Sequence, residues 1–256
     1  MSLCTKKAAE CLIQESIEVN YMIIQIYEVH TVKEALAVAN LGVDYIGAVV
    51  GNEAIPGIIS FAQAEEIFRA LSGKATSVAL SLSCNLQDWT MLIETARPDI
   101  LHLGARPQKI HLPDVEKIRK MFPDVKLMRS IPVMNEQSIT VAQQCVQFAD
   151  LLLLDTYSEA NAEFGATGKT HNWEISLQIT QSVKIPVILA GGLGPDNVAD
   201  AIRKVAPFGV DSKTKTDKTG SNVKDLEKVA AFVKKVRETG SATVSVARKK
   251  VAEGLI

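Results

Sequence analysis

Residues 185–192 read IPVILAGG, and residues 151–155 read LLLLD. Each stretch is almost entirely apolar, and one ends in a glycine pair and the other in a carboxylate. A strand that is apolar at every position is buried on both faces, which is typical of a parallel sheet covered by helices. The two stretches therefore predict strands of a parallel sheet whose ends carry polar or glycine residues.

Similar short apolar runs recur along the chain and alternate with segments of helical period. The predicted strands are Met22–Tyr27, Asp44–Val50, Ser77–Leu82, Asp99–Leu103, Lys126–Ser130, Asp150–Asp155, Pro186–Ala190 and Phe208–Ser212. The predicted helices are Val32–Ala39, Phe61–Leu71, Leu86–Thr95, Pro113–Met121, Glu136–Gln147, Trp173–Ser182, Asn197–Val205 and Lys224–Glu238. Eight βα units in 256 residues predict an α/β protein with a single (β/α)8 TIM barrel. A doubly wound open sheet is the alternative, but it usually has only about five or six strands.

The barrel is predicted to span residues 22–238, with a short extension at each end. The segment 1–21 has an apolar pattern that predicts an additional helix before the first strand. The segment 239–256 predicts a linker followed by a short tail helix. We expect both extensions to be structural.

The composition favours a globular protein that binds a small molecule. The chain is 47% hydrophobic, and its 28 Lys and Arg residues nearly balance its 29 Asp and Glu residues. This balance gives no reason to expect a nucleic acid or an anionic membrane as partner. The four cysteines show no CxxC spacing and the four histidines are scattered. We therefore predict no metal, no cofactor and reduced thiols in a cytoplasmic protein.

Two loops at the predicted mouth of the barrel have residues suited to binding a phosphate. Gly191 and Gly192 follow the seventh strand directly and precede a helix, so backbone N–H groups and the helix N-terminus are available to an anion. The loop after the eighth strand reads DSKTKT from Asp211 onward. A tight turn and a solvated loop are the alternative interpretations. In TIM barrels these two loops often bind phosphate, so we predict a site that includes Asp211, Lys213, Thr214 and Lys215.

The sixth strand ends in Asp155, and a glycine-containing segment follows it. A carboxyl group at the mouth of a barrel is partly desolvated, which raises its pKa and suits it to general acid or base catalysis. A structural cap or an ion pair with a lysine is the alternative. Residues 164–170 read FGATGKT, but Glu163 stands where a P-loop needs its first glycine. We therefore expect a lid that includes Gly168.

Several segments together resemble one family. LLLLD, FGATGKTHNW, VILAGGLGPDNV, and FGVD followed by KDLEKVAAFVKKV resemble the phosphoribosylanthranilate isomerases, TIM-barrel enzymes of tryptophan biosynthesis. The resemblance covers about residues 22–238 and is strongest from Asp150 onward. It implies an Amadori rearrangement, in which a phosphorylated aminoribose becomes a 1-amino-ketose. It also implies that Asp155 is the general acid and that the loops at Gly191–Gly192 and Lys213–Lys215 hold the phosphate.

The first half of the chain departs from the family pattern. The family's first strand ends in Lys-Ile-Cys-Gly-Ile-Thr, with the cysteine as general base, whereas Gln25–His30 reads QIYEVH. Tyr27 therefore stands at the cysteine position. A neutral phenol with an ordinary pKa of about 10 is a poor base near neutral pH. An arginine that receives the anthranilate carboxylate in the family is missing from residues 52–60. His102 replaces a glutamine, and Arg129 replaces a lysine.

These departures leave open which residue is the general base and which reaction the protein catalyses. His102 has a suitable intrinsic pKa for a base, and Glu28 and Cys84 are weaker candidates. We expect an isomerase with a small phosphorylated sugar as substrate, as a monomer or a homodimer. A non-catalytic phosphosugar-binding paralogue is the main alternative. A lyase or epimerase of the wider phosphate-binding barrel group is the third.

Overall fold

The computed structural model describes residues 21–52, 56–158, 163–164 and 170–252. Eight strands form one closed sheet in which each strand runs parallel to its neighbours along the chain. They are β1 (Ile23–Ile26), β2 (Tyr45–Val50), β3 (Thr76–Ser81), β4 (Ile100–Leu103), β5 (Lys126–Val133), β6 (Leu151–Ser158), β7 (Val187–Leu189) and β8 (Gly209–Ser212). Pairing of β8 with β1 closes the sheet. The predicted TIM barrel is confirmed.

A helix follows each strand and packs on the outside of the barrel. The helices are α1 (Val32–Ala39), α2 (Phe61–Leu71), α3 (Leu86–Ala96), α4 (Leu112–Met121), α5 (Gln137–Cys145), α6 (Trp173–Ser182), α7 (Val198–Val205) and α8 (Leu226–Ala252). Two-residue strands at Ile58–Ile59 and Glu163–Phe164 pair with β2 and β6. In the part of the chain described, no helix combines the length and apolarity needed to cross a membrane.

The predictions for the two terminal extensions have different outcomes. The predicted N-terminal helix lies in residues 1–20, outside the described residues. The predicted linker after Glu238 is wrong, because α8 continues without a break to Ala252. A glycine inside a helix costs only about 1 kcal/mol relative to alanine, so Gly240 alone does not end the helix.

The barrel has two separate apolar cores because side chains alternate between the two faces of each strand. On β6, Leu151 and Leu153 point into the barrel, whereas Leu152 and Leu154 pack under the surrounding helices. Polar residues at inward positions therefore lie in a dry interior unless they stand at a strand end. This alternation decides which side chains reach the mouth.

Three aspartates connect the N-terminal ends of neighbouring strands through side-chain hydrogen bonds. Each stands one residue before an even-numbered strand and accepts a hydrogen bond from a backbone N–H of the preceding odd-numbered strand. The pairs are Asp44 with Ile24 at 2.8 Å, Asp99 with Ser77 at 2.7 Å, and Asp150 with Leu127 at 2.8 Å. The sequence analysis assigned these aspartates to strand starts and gave them no role.

Replacing Asp99 with alanine is expected to lower the free energy of unfolding by about 2–3 kcal/mol, because a part-buried backbone N–H and the Ser77 hydroxyl both lose their acceptor. Urea denaturation measures the loss. Asp124→Ala, in an exposed turn, is the matched control and should change the same quantity by less than about 0.5 kcal/mol. Equal losses for the two variants would contradict this role.

Candidate active site

A cavity of about 170 Å³ opens at the C-terminal ends of the strands. Its apolar lining residues are Val49, Leu80, Leu82, Gly104 and Leu153. Its polar lining brings together five residues predicted from the sequence. These are Tyr27, His102, Asp155, Asp211 and Lys213.

A larger cavity, of about 680 Å³, lies at the other end of the barrel. Its lining includes Asp44, Thr76 and Asp99 at the N-terminal ends of the strands. Two of these residues are the structural aspartates that fasten the strands. TIM-barrel enzymes act at the C-terminal end, so the smaller cavity is the candidate active site.

Asp155 and Asp211 are two electrostatically coupled carboxyl groups in the wall of this cavity. Asp155 Oδ1 accepts a hydrogen bond from the N–H of Thr156 at 2.7 Å, and Asp211 Oδ1 accepts one from Gln25 Nε2 at 3.1 Å. Burial raises the pKa of Asp155 to about 6. Burial, together with the charge of Asp155, raises the pKa of Asp211 to about 8. Near neutral pH the pair therefore holds about one proton, most of it on Asp211.

Tyr27 and His102 form one hydrogen-bonded chain in the floor of the cavity. Tyr27 Oη lies 2.9 Å from His102 Nδ1, and His102 Nε2 lies 2.6 Å from Ser130 Oγ. Burial lowers the pKa of His102 to about 3, so the ring is neutral. Burial and the charges of Asp211 and Glu28 raise the pKa of Tyr27 well above its ordinary value. Neither group is suited to act as a base near neutral pH.

Gly47 on β2 makes room for the Tyr27 ring. A Cβ atom at this position would stand 2.0 Å from Tyr27 Cε1. The phenol therefore lies flat against the β2 backbone. This contact and the His102 hydrogen bond fix Tyr27 in place.

Glu28 also reaches the cavity, because β1 ends at Ile26 and the strand alternation ends with it. Its carboxylate lies 3.6 Å from His30 Nε2 and 3.7 Å from Lys213 Nζ. Burial raises the pKa of Glu28, but the hydrogen bond with His30 and the charge of Lys213 outweigh it and lower the pKa overall. Hydrogen bonds with Glu28 and Glu34 raise the pKa of His30 to about 9.

A buried lysine ties the loop after β1 to the segment before α8. The Lys224 ammonium is fully buried, forms an ion pair with Asp217 and donates to the carbonyl of Tyr27. Lys213 Nζ donates to Asn222 Oδ1 at 3.0 Å and lies 3.6 Å from Asp217 Oδ2. The ammonium of Lys213 is therefore held by protein groups at the cavity wall.

The glycine turn after β7 has a left-handed backbone conformation. Gly191 has φ of +85° and Gly192 has φ of +64°, both in the left-handed region. A Cβ atom at Gly191 would stand 2.3 Å from Thr156 Oγ1, so this position requires glycine for space as well. Such turns direct successive N–H groups to one side and are suited to anions.

Asn197, just before α7, holds the glycine turn in shape. Its side chain accepts from the N–H of Gly194 at 2.8 Å and donates to the carbonyl of Gly192 at 3.0 Å. The side chain of Lys215 packs beside Gly194, where an added Cβ would meet Lys215 Cβ at 2.8 Å. The turn after β7 and the loop after β8 are therefore adjacent, as the phosphate prediction requires.

Three other predicted residues have different placements. Thr214 begins a 3-10 turn after β8 and lies outside the cavity lining. Gly168 lies outside the described residues. Arg129 does not line the mouth, which corrects its expected placement. It stands between the inward residues Met128 and Ser130, so it points outward and donates to the carbonyl of Ala105 at 2.9 Å.

Four further residues at or beside the site were not predicted from the sequence: Gln25, Ser130, Asp217 and Lys224. Gln25 could have been identified from the sequence, because it precedes Tyr27 by two residues on the predicted strand Met22–Tyr27 and so was expected on the same face. Asp217 and Lys224 had no such signal, since their contact depends on how the segment after β8 folds back. Asp211 was predicted to bind substrate, but its hydrogen bond with Gln25 was not foreseen.

The fold and the cavity define a TIM-barrel protein with a pair of buried carboxyl groups of raised pKa beside a turn suited to an anion. A family model described as N-(5'phosphoribosyl)anthranilate (PRA) isomerase matches residues 109–235. The N-(5'-phosphoribosyl)anthranilate isomerase of Methanocella arvoryzae is 37% identical over 213 residues, which cover 82% of this chain and 95% of that protein. The N-(5'-phosphoribosyl)anthranilate isomerase 2 of Methanosarcina mazei is 31% identical, with 84% and 94% covered. The chain belongs to the N-(5'-phosphoribosyl)anthranilate isomerase family.

Solved structures of the family share the fold. The isomerase from Pyrococcus furiosus superposes with a TM-score of 0.67 at 25% identity, over 85% of this chain and 100% of that one. The enzyme from Thermotoga maritima gives a TM-score of 0.74 at 23% identity, with the same coverage.

Asp211→Asn is expected to remove a pH-dependent contribution to stability. The folded pKa of Asp211, about 8, lies above its ordinary value of 3.8, so the folded state binds this proton more tightly. The contribution is complete below a pH of about 4 and is lost as the pH rises through about 8, at up to about 1.4 kcal/mol per pH unit.

Urea denaturation of wild type and Asp211→Asn across this pH range measures the effect. The difference in unfolding free energy, wild type minus variant, should fall as the pH rises. Asp124→Asn is the matched control and should give a difference that stays flat. A flat difference for Asp211→Asn as well would show that its carboxyl is not perturbed.

Proposed function

We propose that the protein catalyses the Amadori-type isomerisation of N-(5'-phosphoribosyl)anthranilate, or of a closely related phosphorylated aminosugar, to the 1-amino-ketose. The observation that carries the proposal is the position of Asp155. It lies on β6 at the C-terminal mouth, lines the cavity and is electrostatically coupled to Asp211. A rearrangement that adds a proton at oxygen and removes one at carbon needs such groups beside the substrate.

The phosphate of the substrate is proposed to bind between the glycine turn after β7 and the loop after β8. The left-handed Gly191 and Gly192 and the N-terminus of α7 support this placement. Lys215 is exposed beside the turn, whereas Lys213 is held by Glu28 and Asp217. Lys215 is therefore the side chain proposed to meet the phosphate.

The relatives' names support the same substrate class. A further solved relative is described as a complex with reduced 1-(O-carboxyphenylamino)-1-deoxyribulose 5-phosphate, and its TM-score is 0.71 at 21% identity. We propose a small phosphorylated sugar as the ligand, a role in tryptophan biosynthesis, a cytoplasmic location and a monomer or homodimer.

A non-catalytic binding protein is the second candidate, and it is favoured by the replacement of the family's cysteine with a tyrosine that is hydrogen-bonded to His102.

Freshly generated N-(5'-phosphoribosyl)anthranilate should lose its fluorescence in the presence of the wild-type protein and not with Asp155→Asn. The expected loss of kcat in the variant is about 10²- to 10⁴-fold, because a proton-transfer group is removed. Asp124→Asn should retain the wild-type rate. Binding of the substrate by wild type without turnover would favour the non-catalytic candidate.

Lys215→Ala is expected to raise the dissociation constant of inorganic phosphate about 10- to 100-fold, since a charge-assisted contact contributes roughly 1.5–3 kcal/mol. Isothermal titration calorimetry measures the change. Lys218→Ala removes an exposed lysine from the same loop and should leave the constant within about twofold. Equal effects of the two substitutions would place the phosphate elsewhere.

A further inference from the structure

Two of the differences between this chain and the family's first-strand motif bear on proton transfer. Where the motif Lys-Ile-Cys-Gly-Ile-Thr has its lysine and its cysteine, this chain has Gln25 and Tyr27. The phenol is fixed by His102 and Gly47 and holds its proton near neutral pH. If the protein is an isomerase, another group in the cavity must take part in proton transfer.

Gln25 and Asp211 face each other inside the barrel. They are paired in the parallel register of β1 and β8, both are buried, and Gln25 Nε2 lies 3.1 Å from Asp211 Oδ1. Among the described residues, Gln25 Oε1 has no hydrogen-bond partner, so the amide serves Asp211 alone. A lysine at this position would place a cation beside Asp211 and keep it ionised. The neutral amide lets Asp211 carry a proton.

Glu28 is the other carboxylate in the cavity wall, but it is a weaker candidate. Its ion pairs with His30 and Lys213 hold it ionised, and a carboxylate stabilised in this way is a weak base. Asp211 has no ion pair of its own among the described residues, lines the same cavity as Asp155 and is electrostatically coupled to it.

We propose that Asp211, positioned by Gln25, is the second proton-transfer group of this protein. It serves as the general acid, which leaves the ionised Asp155 to take over the base task of the missing cysteine. The inference rests on the isomerase function proposed above. Asp155 and Asp211 then form a working pair that starts the reaction with one proton on Asp211.

The steps balance with these two groups alone. Asp211 gives its proton to the ring oxygen while the C1–O bond breaks and the nitrogen lone pair forms a C1=N bond. Asp155 takes the proton from C2, and the C–H electrons form the C1=C2 bond while the C=N electrons return to nitrogen. Asp155 then gives this proton to C1 while Asp211 takes the proton of the C2 hydroxyl and the C2=O bond forms. The pair ends in its starting state.

The groups that face Asp211 define the expected pH dependence. Asp155 on β6 raises its affinity for the proton, whereas Gln25 on β1 and Lys224 before α8 lower it. Tyr27, after β1, stays neutral in this range. The reaction therefore needs Asp155 ionised and Asp211 protonated, and kcat should be greatest between pH values of about 6 and about 8.

The first test is the pH profile of kcat for wild type, Asp211→Asn and the control Asp124→Asn with N-(5'-phosphoribosyl)anthranilate. Asp211→Asn should lower kcat by about 10²- to 10⁴-fold. The control should keep both the rate and the bell-shaped profile. A wild-type profile without a basic limb, or an Asp211→Asn variant within about twofold of wild type, would overturn the proposal.

The second test restores the family's lysine. Gln25→Lys should move the basic limb from about 8 to near 6, which lowers kcat about tenfold at pH 7, because a cation lowers the pKa of a neighbouring carboxyl by about two units. Gln178→Lys, on the exposed face of α6, is the matched control and should leave the profile unchanged. An unchanged profile in Gln25→Lys would overturn the positioning role of Gln25.

The double variant Gln25→Lys with Tyr27→Cys returns both motif residues. It should recover at least part of the activity lost in Gln25→Lys and become sensitive to iodoacetamide, whereas wild type should be insensitive. Loss of wild-type turnover on iodoacetamide treatment would point to a cysteine and overturn the proposal.

Failure of the two proposals is distinguishable. Turnover by wild type that depends on Asp155 and survives in Asp211→Asn rejects Asp211 alone and keeps the isomerase function. Absence of turnover by wild type, with folding confirmed by circular dichroism, rejects the isomerase function and the role of Asp211 together.

Discussion

The dry interior of the closed barrel is the constraint on which the site depends. Because every second residue of each strand points to the axis, a polar residue at such a position must find its partner on a neighbouring strand. Gln25 meets Asp211 through the pairing of β1 with β8, and His102 on β4 meets Ser130 on β5. These contacts fix the polar groups on one side of the cavity before any ligand arrives.

The charged groups around the floor of the cavity neutralise one another. Glu28, His30 and Lys213 form ion pairs at the edge of the cavity, and Lys224 connects them to the carbonyl of Tyr27 from below. With the carboxylates of Glu34 and Asp217, which pair with His30, Lys213 and Lys224, the charges of this network cancel. Asp155 and Asp211 are left outside it, and burial therefore shifts their pKa values toward neutral pH. In the proposed reaction, this division leaves Asp155 and Asp211 as the base and the acid of the cavity.

Much of the fold was predictable because the strands can be recognised in the sequence as apolar runs that end in polar or glycine residues. LLLLD placed Asp155 at the mouth, and IPVILAGG placed the glycine turn, since both features depend on local sequence. Arg129 was misplaced because one residue along a strand reverses the face, and the strand's phase was not fixed by its own residues. The contact of Tyr27 with His102, and that of Lys224 with Asp217, join residues far apart in the chain. No local pattern encodes such contacts.

The most direct test of the account is a crystal structure of the protein with reduced 1-(O-carboxyphenylamino)-1-deoxyribulose 5-phosphate. The account predicts the phosphate against the backbone of Gly191 and Gly192, and the carboxyl groups of Asp155 and Asp211 within hydrogen-bond distance of the ribulose chain. A ligand bound outside this cavity, or one that leaves Asp211 without contact, would contradict it.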